Sequence, residues 1–128
     1  MFVLCIVLQI QTGISTIIVT ILAALYTLTA VLMVYFTART TAIDPTDPTI
    51  NLERSSKVNG QKFDSKAYEF FCNLCDTHVL RGSKHCKHCN RCTLKFDHHC
   101  DWVNSDIGEA NYREFVYSLL SVIATLTI

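Results

Sequence analysis

Residues 1–38 and 115–128 carry no charged side chain, and all eleven basic and eleven acidic residues fall between Arg39 and Glu114. Two apolar ends therefore flank one polar middle. The run "ISTIIVTILAALYTLTAVLMVYF", residues 14–36, predicts a transmembrane helix, since its 23 residues, at ~1.5 Å each, cover the roughly 30 Å hydrocarbon core of a bilayer. Scattered Ser and Thr are tolerated there because their hydroxyls bond back to helix carbonyls. Tyr35 and Phe36 stand where interfacial aromatics are expected. The alternative is a buried core helix, but the polar remainder is too small to surround one.

The flanking apolar segments are shorter. Residues 1–12 predict a partial apolar or transmembrane segment, 14–37 the full span, and 112–128 the start of a further transmembrane helix. A signal peptide is a competing reading of the N-terminus, but no basic region precedes the apolar run. The expectation is a fragment or short product of a larger polytopic protein. Arg39 and the basic residues after it orient the polar middle toward the cytosol. Cytosolic thiols are kept reduced, so clustered cysteines there point to metal rather than disulfides. Cys5, inside an apolar run, reads as a membrane-buried thiol, with acylation as the alternative. Formal charge is zero at pH 7, which gives no reason to expect a nucleic-acid partner.

Residues 38–69 read as a juxtamembrane connector, in which Asp44-Pro45, Asp47-Pro48 and Asn59-Gly60 break any helix. No internal repeat is expected. Residues 70–111 then hold "FCNLCDTHVLRGSKHCKHCNRCTLKFDHHC", where six of the seven cysteines and all five histidines lie between Cys72 and Cys100. A C-x2-C turn brings two thiolates to one side of a short loop, and zinc takes four such soft or borderline ligands in a tetrahedron. Any single Cys here reads as a small hydrophobe, but so dense a set has little other physical use, and two sites are expected.

The order C-x2-C-x9-H-C-x2-C-x2-C-x4-D-H-H-C, followed by Trp102, Asn104, Gly108, Asn111 and Phe115, resembles the cysteine-rich domain of the DHHC protein S-acyltransferases, the palmitoyltransferases. Asp44-Pro45 looks like the start of that family's Asp-Pro-Gly motif, with Thr46 in place of Gly. The resemblance implies a membrane protein whose transmembrane α-helices flank a small cytosolic zinc-binding domain with little regular secondary structure. It would be multi-pass, in an endomembrane (ER or Golgi) or the plasma membrane.

Carried over by resemblance, one zinc falls to Cys72, Cys75, His85 and Cys92. A second falls to Cys86, Cys89 and His99, with a fourth Cys expected where this chain has Asp106. Carboxylate oxygen is harder than thiolate and holds zinc less tightly. Asp106 keeps the family geometry, and His88 is the alternative donor. The resemblance makes Cys100 the nucleophile, His98 its base and Asp97 the group that orients His98. Cys100 would take an acyl group, palmitoyl for instance, from acyl-CoA and pass it to a cysteine of a substrate protein. A long acyl chain needs a deep apolar cavity among several spans, most of which this chain is not expected to supply. The second reading is therefore a catalytically inactive, zinc-binding membrane adaptor. A zinc ribbon or RING-like domain fits the ligand spacing poorly.

Other residues are expected to be structural. Trp102 and Phe96 would pack around the active-site loop, Tyr112 and Arg113 would anchor the next helix, Asn104 and Asn111 would tie loop backbone, and Gly108 would permit a turn.

Overall fold

The computed structural model describes residues 2–128, without the side chains of Phe2, Leu4, Cys5 and Leu8, so the reading of Cys5 lies outside the described residues. Helix α1 spans Phe2–Ala42, about 60 Å at 1.5 Å per residue. Where the sequence reading separates residues 1–12 from 14–37, the helix runs unbroken through Gly13. A lone glycine costs a helix only about 1 kcal/mol against alanine, too little to stop one flanked by apolar residues on both sides. Its stretch Gln9–Ala42 is long and apolar enough to cross a membrane. Hydroxyls bond back along it, Thr16 to the Thr12 carbonyl at 2.7 Å and Thr20 to that of Thr16 at 2.8 Å.

The connector, whose breakers are expected to exclude a helix, contains one. It forms α2, Pro48–Asn59. Asp47 caps the helix by accepting from the Thr49 amide, Pro48 supplies the fixed φ suited to a first turn, and Gly60 closes it at φ 66°. Residues that interrupt a helix in its interior delimit one at its ends.

The cysteine-rich region consists of three two-stranded antiparallel hairpins. They are β1 (Phe70–Cys72) with β2 (Thr77–Val79), β3 (Lys84–Cys86) with β4 (Arg91–Thr93), and β5 (His98–Cys100) with β6 (Ser105–Ile107). Their registers are equivalent: Cys72 faces Thr77, Cys86 faces Arg91 and Cys100 faces Ser105. In each turn one residue takes positive φ, Asp76 at 52°, Asn90 at 50° and Asn104 at 46°, a conformation that Asp and Asn tolerate best among residues with a Cβ. These positions recur every 14 residues. The chain thus has an internal repeat that the sequence reading does not anticipate, because only a Cys and an Asp or Asn recur in it.

Helix α3 spans Tyr112–Thr127 and packs along α1, with the rings of Phe36 and Tyr117 5.1 Å apart. The apolar core of the hairpin region is small. One cluster holds Ile50, Cys75, Val79 and Cys92, and another holds Cys100, Val103 and Ile107 with Phe115 against it. So little buried apolar surface is characteristic of domains that depend on metal for stability.

Candidate active site and metal centres

A strand sends alternate residues to opposite faces, and this periodicity sorts the candidate residues. On the second hairpin, His85 and Cys92 are direct partners and share one face, while Cys86 and Arg91 share the other. Cys72 and Cys75 from the first hairpin meet the first pair. The ligand atoms of Cys72, Cys75, His85 and Cys92 all lie within 4.8 Å of one another. His85 Nδ1 is 3.2 Å from Cys75 Sγ, 3.8 Å from Cys72 Sγ and 3.9 Å from Cys92 Sγ, and the last two cysteines of this face, Cys75 and Cys92, are 3.6 Å apart at sulfur. A zinc tetrahedron with ordinary Zn–S and Zn–N bonds has edges of about 3.6–3.8 Å, so the donor set fits that ion.

The arrangement repeats one hairpin later. Cys86 and Cys89 meet the partnered pair His99 and Asp106 of the third hairpin, and these four form the other donor cluster. His99 Nδ1 stands 3.8 Å from Cys86 Sγ, 3.4 Å from Cys89 Sγ and 2.9 Å from Asp106 Oδ1. Asp106 therefore occupies the place that Cys92 holds in the first set. His88 is not gathered with them: its ring lies parallel to that of His99 at 4.8 Å. Outside the cluster, His99 Nε2 is 3.6 Å from Asp101 Oδ1, the kind of carboxylate partner that fixes a ligating imidazole.

The ionisation of these groups follows from their crowding. Burial, and then the neighbouring thiols of Cys72 and Cys75, push the Cys92 thiol well up. Burial, followed by Asp106, pushes Cys89 up to about 11. Burial also works against the Asp106 carboxylate, but hydrogen bonds involving Cys86, His99, Cys89 and Thr93 outweigh it and hold its pKa below the usual carboxylate value. Thiols packed this closely resist ionising together unless a cation shares their site.

Three residues that the sequence reading passes over hold this frame together. Asp47, fully buried, accepts from the Leu80 amide at 2.7 Å and the Ser83 hydroxyl as well as capping α2. Arg91 binds Asp44 at 2.9 Å and the Ser105 hydroxyl at 3.2 Å, and its buried Nε lies 3.5 Å from Asp106 Oδ2 without a hydrogen bond. Thr93 donates to the same Asp106 oxygen at 3.0 Å. The signal for Arg91 and Thr93 was their place on β4, which is visible only once the hairpin register is known.

His98 and Cys100 lie two apart on β5 and share the face opposite His99. His98 Nδ1 is 3.3 Å from Asp97 Oδ2, and its ring meets Phe115 edge-on at 5.3 Å. Cys100 is buried beside Val103 and Ile107. In the 14-residue register Cys100 matches the first cysteine of a C-x2-C turn and Val103 replaces the second. Cys100 belongs to neither donor cluster among the described residues.

The hairpin is docked on the helices. Thr41 donates to the Val103 carbonyl at 3.2 Å, and Asn111, fully buried, donates to the carbonyls of Thr40 and Asp106 while accepting from the Gly108 amide. Gly108 does not serve a positive φ. A Cβ there would meet Thr93 Cγ2 at 2.5 Å and the Leu94 carbonyl at 2.6 Å, so close approach is what excludes a side chain. Trp102, expected to pack on the loop, is instead 95 % exposed. The next residue of the same turn, Val103, faces the second core instead. Phe96 lines a shallow cleft with Lys95, Asp97, Gly108, Glu109 and Tyr112.

The family model for DHHC palmitoyltransferases matches residues 65–128. The mouse (Mus musculus) palmitoyltransferase ZDHHC4 is 39 % identical over 102 residues, which cover 78 % of this chain and 29 % of the relative. Palmitoyltransferase AKR1 of Mortierella alpina is 45 % identical over 58 residues, 45 % of this chain and 10 % of its own. Palmitoyltransferase SWF1 of Saccharomyces cerevisiae is 46 % identical over 55 residues, 43 % of this chain and 16 % of its own. The chain spans less than a third of the length of each. The matched residues take in all three hairpins, with both donor clusters and the Asp97-His98-His99-Cys100 stretch, and on that ground the chain belongs to the DHHC palmitoyltransferase family.

Proposed function

We propose that this chain carries the nucleophile-bearing part of a protein S-acyltransferase, which moves a long-chain acyl group such as palmitoyl from acyl-CoA to cysteine thiols of substrate proteins. The observation behind this reading is the register of β5, which turns His99 toward Cys86, Cys89 and Asp106 and leaves His98 and Cys100 together on the other face. One thiol thus shares a strand face with a base and lies outside both donor sets. The names of the relatives support the same class of reaction.

In the first step His98 takes the Cys100 proton. The thiolate attacks the thioester carbonyl, a new C–S bond forms to Cys100, and the C–S bond to CoA breaks. The CoA thiolate leaves with the proton from His98. In the second step His98 deprotonates the substrate cysteine, whose sulfur attacks the acyl-Cys100 carbonyl and returns Cys100 as the leaving group. Asp97 holds Nδ1 of His98, so that Nε2 is free to exchange the proton. Cys72, Cys75, His85 and Cys92 would hold one zinc and Cys86, Cys89, His99 and Asp106 a second, and the ions would supply cross-links that fix the hairpins. The docking of the Cys100 hairpin on the ends of α1 and α3 supports a thiol at the membrane surface on this reading, where an acyl chain would reach it from the bilayer and CoA and protein substrate from the cytosol. The full protein on this reading is multi-pass, in an endomembrane or the plasma membrane.

Incubation of the chain in lipid nanodiscs with labelled palmitoyl-CoA tests the reading. Wild type takes up a hydroxylamine-sensitive label and Cys100→Ala takes up none. If wild type stays unlabelled while retaining its zinc, the chain is the membrane adaptor instead.

A further inference from the structure

The two donor clusters share a design but differ in one ligand and in what surrounds it. The first offers three sulfurs and a ring nitrogen, the second two sulfurs, a ring nitrogen and the Asp106 carboxylate. Zinc is a borderline-soft cation, so exchanging thiolate for carboxylate weakens its hold. The surroundings act in the same direction. Asp106 Oδ2 is taken by the Thr93 hydroxyl at 3.0 Å, which leaves Oδ1 to face the cluster, and the Arg91 guanidinium lies 3.5 Å away with a buried Nε that has no hydrogen bond. A fixed positive charge there opposes a second cation.

The same neighbours lower the cost of letting the ion go. A buried carboxylate stripped of its partner costs several kcal/mol, but Asp106 retains Thr93 and Arg91 whatever happens at Oδ1. Among the described residues no guanidinium or hydroxyl bonds to the first cluster, whose sulfurs meet one another, His85 and the backbone amides of Leu74, Cys75 and Cys92.

We propose that the donor set Cys86, Cys89, His99 and Asp106 is an exchangeable zinc clasp on the Cys100 hairpin, releasing its ion before the first set does and loosening the strand that bears His98 and Cys100. The inference rests on the zinc reading above and is independent of acyl transfer. His99 lies between His98 and Cys100, and Asp106 lies between the residues that pair with those two, Ile107 and Ser105. The clasp joins this hairpin to the turn of the second one. Without it the hairpin keeps its three residue pairs and the hydrogen bonds from Thr41, Thr93 and Asn111, and a two-stranded hairpin of that size is marginal on its own pairing. Zinc supply would thereby set how firmly the nucleophile is held.

The zinc-loaded chain in nanodiscs is titrated with a metal chelator at fixed pH. At each step released zinc is counted, thiols are capped with a maleimide, and the capped positions are mapped by mass spectrometry. The expected first phase frees one zinc per chain and caps Cys86 and Cys89 while Cys72, Cys75 and Cys92 stay protected. Over that phase hydrogen exchange rises in residues 98–107 ahead of residues 70–79. Asp106→Cys delays the phase to at least about tenfold more chelator, the low end of what changes even outside a ligand set do to metal affinity. Simultaneous capping of all five cysteines overturns the proposal, as does an unshifted first phase in Asp106→Cys. Capping of Cys86 and Cys89 before any chelator is added, with one zinc per chain, overturns the zinc reading of that site itself. If Asp106→Cys does not fold, the order of capping in wild type still decides.

Discussion

The two donor clusters are built from the same 14-residue plan, and on the proposed reading their difference lets one scaffold yield both a fastener and a reactive strand. The first joins hairpins one and two and has only structural residues beside its ligands. The second joins hairpins two and three, and its ligand His99 has His98 on one side and Cys100 on the other. Strand alternation makes this economical, since a ligand facing the metal turns both of its neighbours to the opposite face. A third C-x2-C turn would have bound Cys100 too. Val103, buried in the place of the second cysteine, leaves that thiol with apolar neighbours instead.

The comparison predicts an asymmetry under ligand removal. Hairpin two carries His85 and Cys92 for the first cluster and Cys86 and Cys89 for the second, so damage to the first should spread. Cys92→Ala is expected to drop zinc content from two per chain to below one and to make residues 70–107 protease-sensitive. Asp106→Ala should stop at one zinc and leave hairpins one and two protected. Metal counting with limited proteolysis reads both, and equal losses from the two variants would mean that the clusters are energetically independent.

Much of this was legible in the sequence, and the exceptions have physical causes. Cys and His spacing indicates that two donor sets form, because a short C-x2-C loop has few ways to present its sulfurs, and the family resemblance implies which residues fall in each. Spacing says less about Asp106, whose side chain is as common on a surface as at a metal. What selects Asp106 over His88 is cross-strand pairing with His99, a property of register. Arg91 and Glu53 escaped notice, and Asp47 was read only as part of a breaker, because each acts on a partner at least 25 residues away in sequence. The α2 helix was missed for a different reason: Asp47-Pro48 and Asn59-Gly60 read as breakers, yet they are a start and a stop signal placed 12 residues apart.

A change beside the second cluster should be milder than ligand loss. Gly108→Ala forces a methyl into Thr93 Cγ2 and the Leu94 carbonyl, and overpacking of this kind costs about 1–3 kcal/mol. Since Thr93 also holds Asp106, the thermal midpoint should fall and the second zinc should leave at lower chelator, with the first unaffected. A Gly108→Ala chain with both properties unchanged would show that β4 and the 108 turn can part without cost.

The smallest effect lies beside the first hairpin, where no metal precedes it and α2 takes the equivalent place. In the 14-residue register His78 matches Cys92 and Asp106, and the side chain it meets is Glu53, which accepts from the His78 amide at 2.7 Å, lies 3.0 Å from its Nδ1, and pairs with Lys57 at 3.0 Å. Burial raises the Glu53 pKa, but the bonds to His78 and Lys57 outweigh it, so its value falls below the ordinary 4.5. A carboxyl with a depressed folded pKa stabilises the fold fully above its unfolded pKa, and that contribution is lost as pH falls through the folded value. Glu53→Gln keeps an acceptor and loses only the charge, so it should cost about 1 kcal/mol near pH 7, the difference between a charge-assisted and a neutral hydrogen bond. The gap from wild type should close as pH drops below the ordinary carboxyl range. Thermal midpoints of the two chains measured side by side across that range isolate this residue, because acid release of zinc acts on both alike. A gap that stays constant with pH would mean that Glu53 serves hairpin one by packing, and that its charge does not do for the first hairpin what the metals do for the other two.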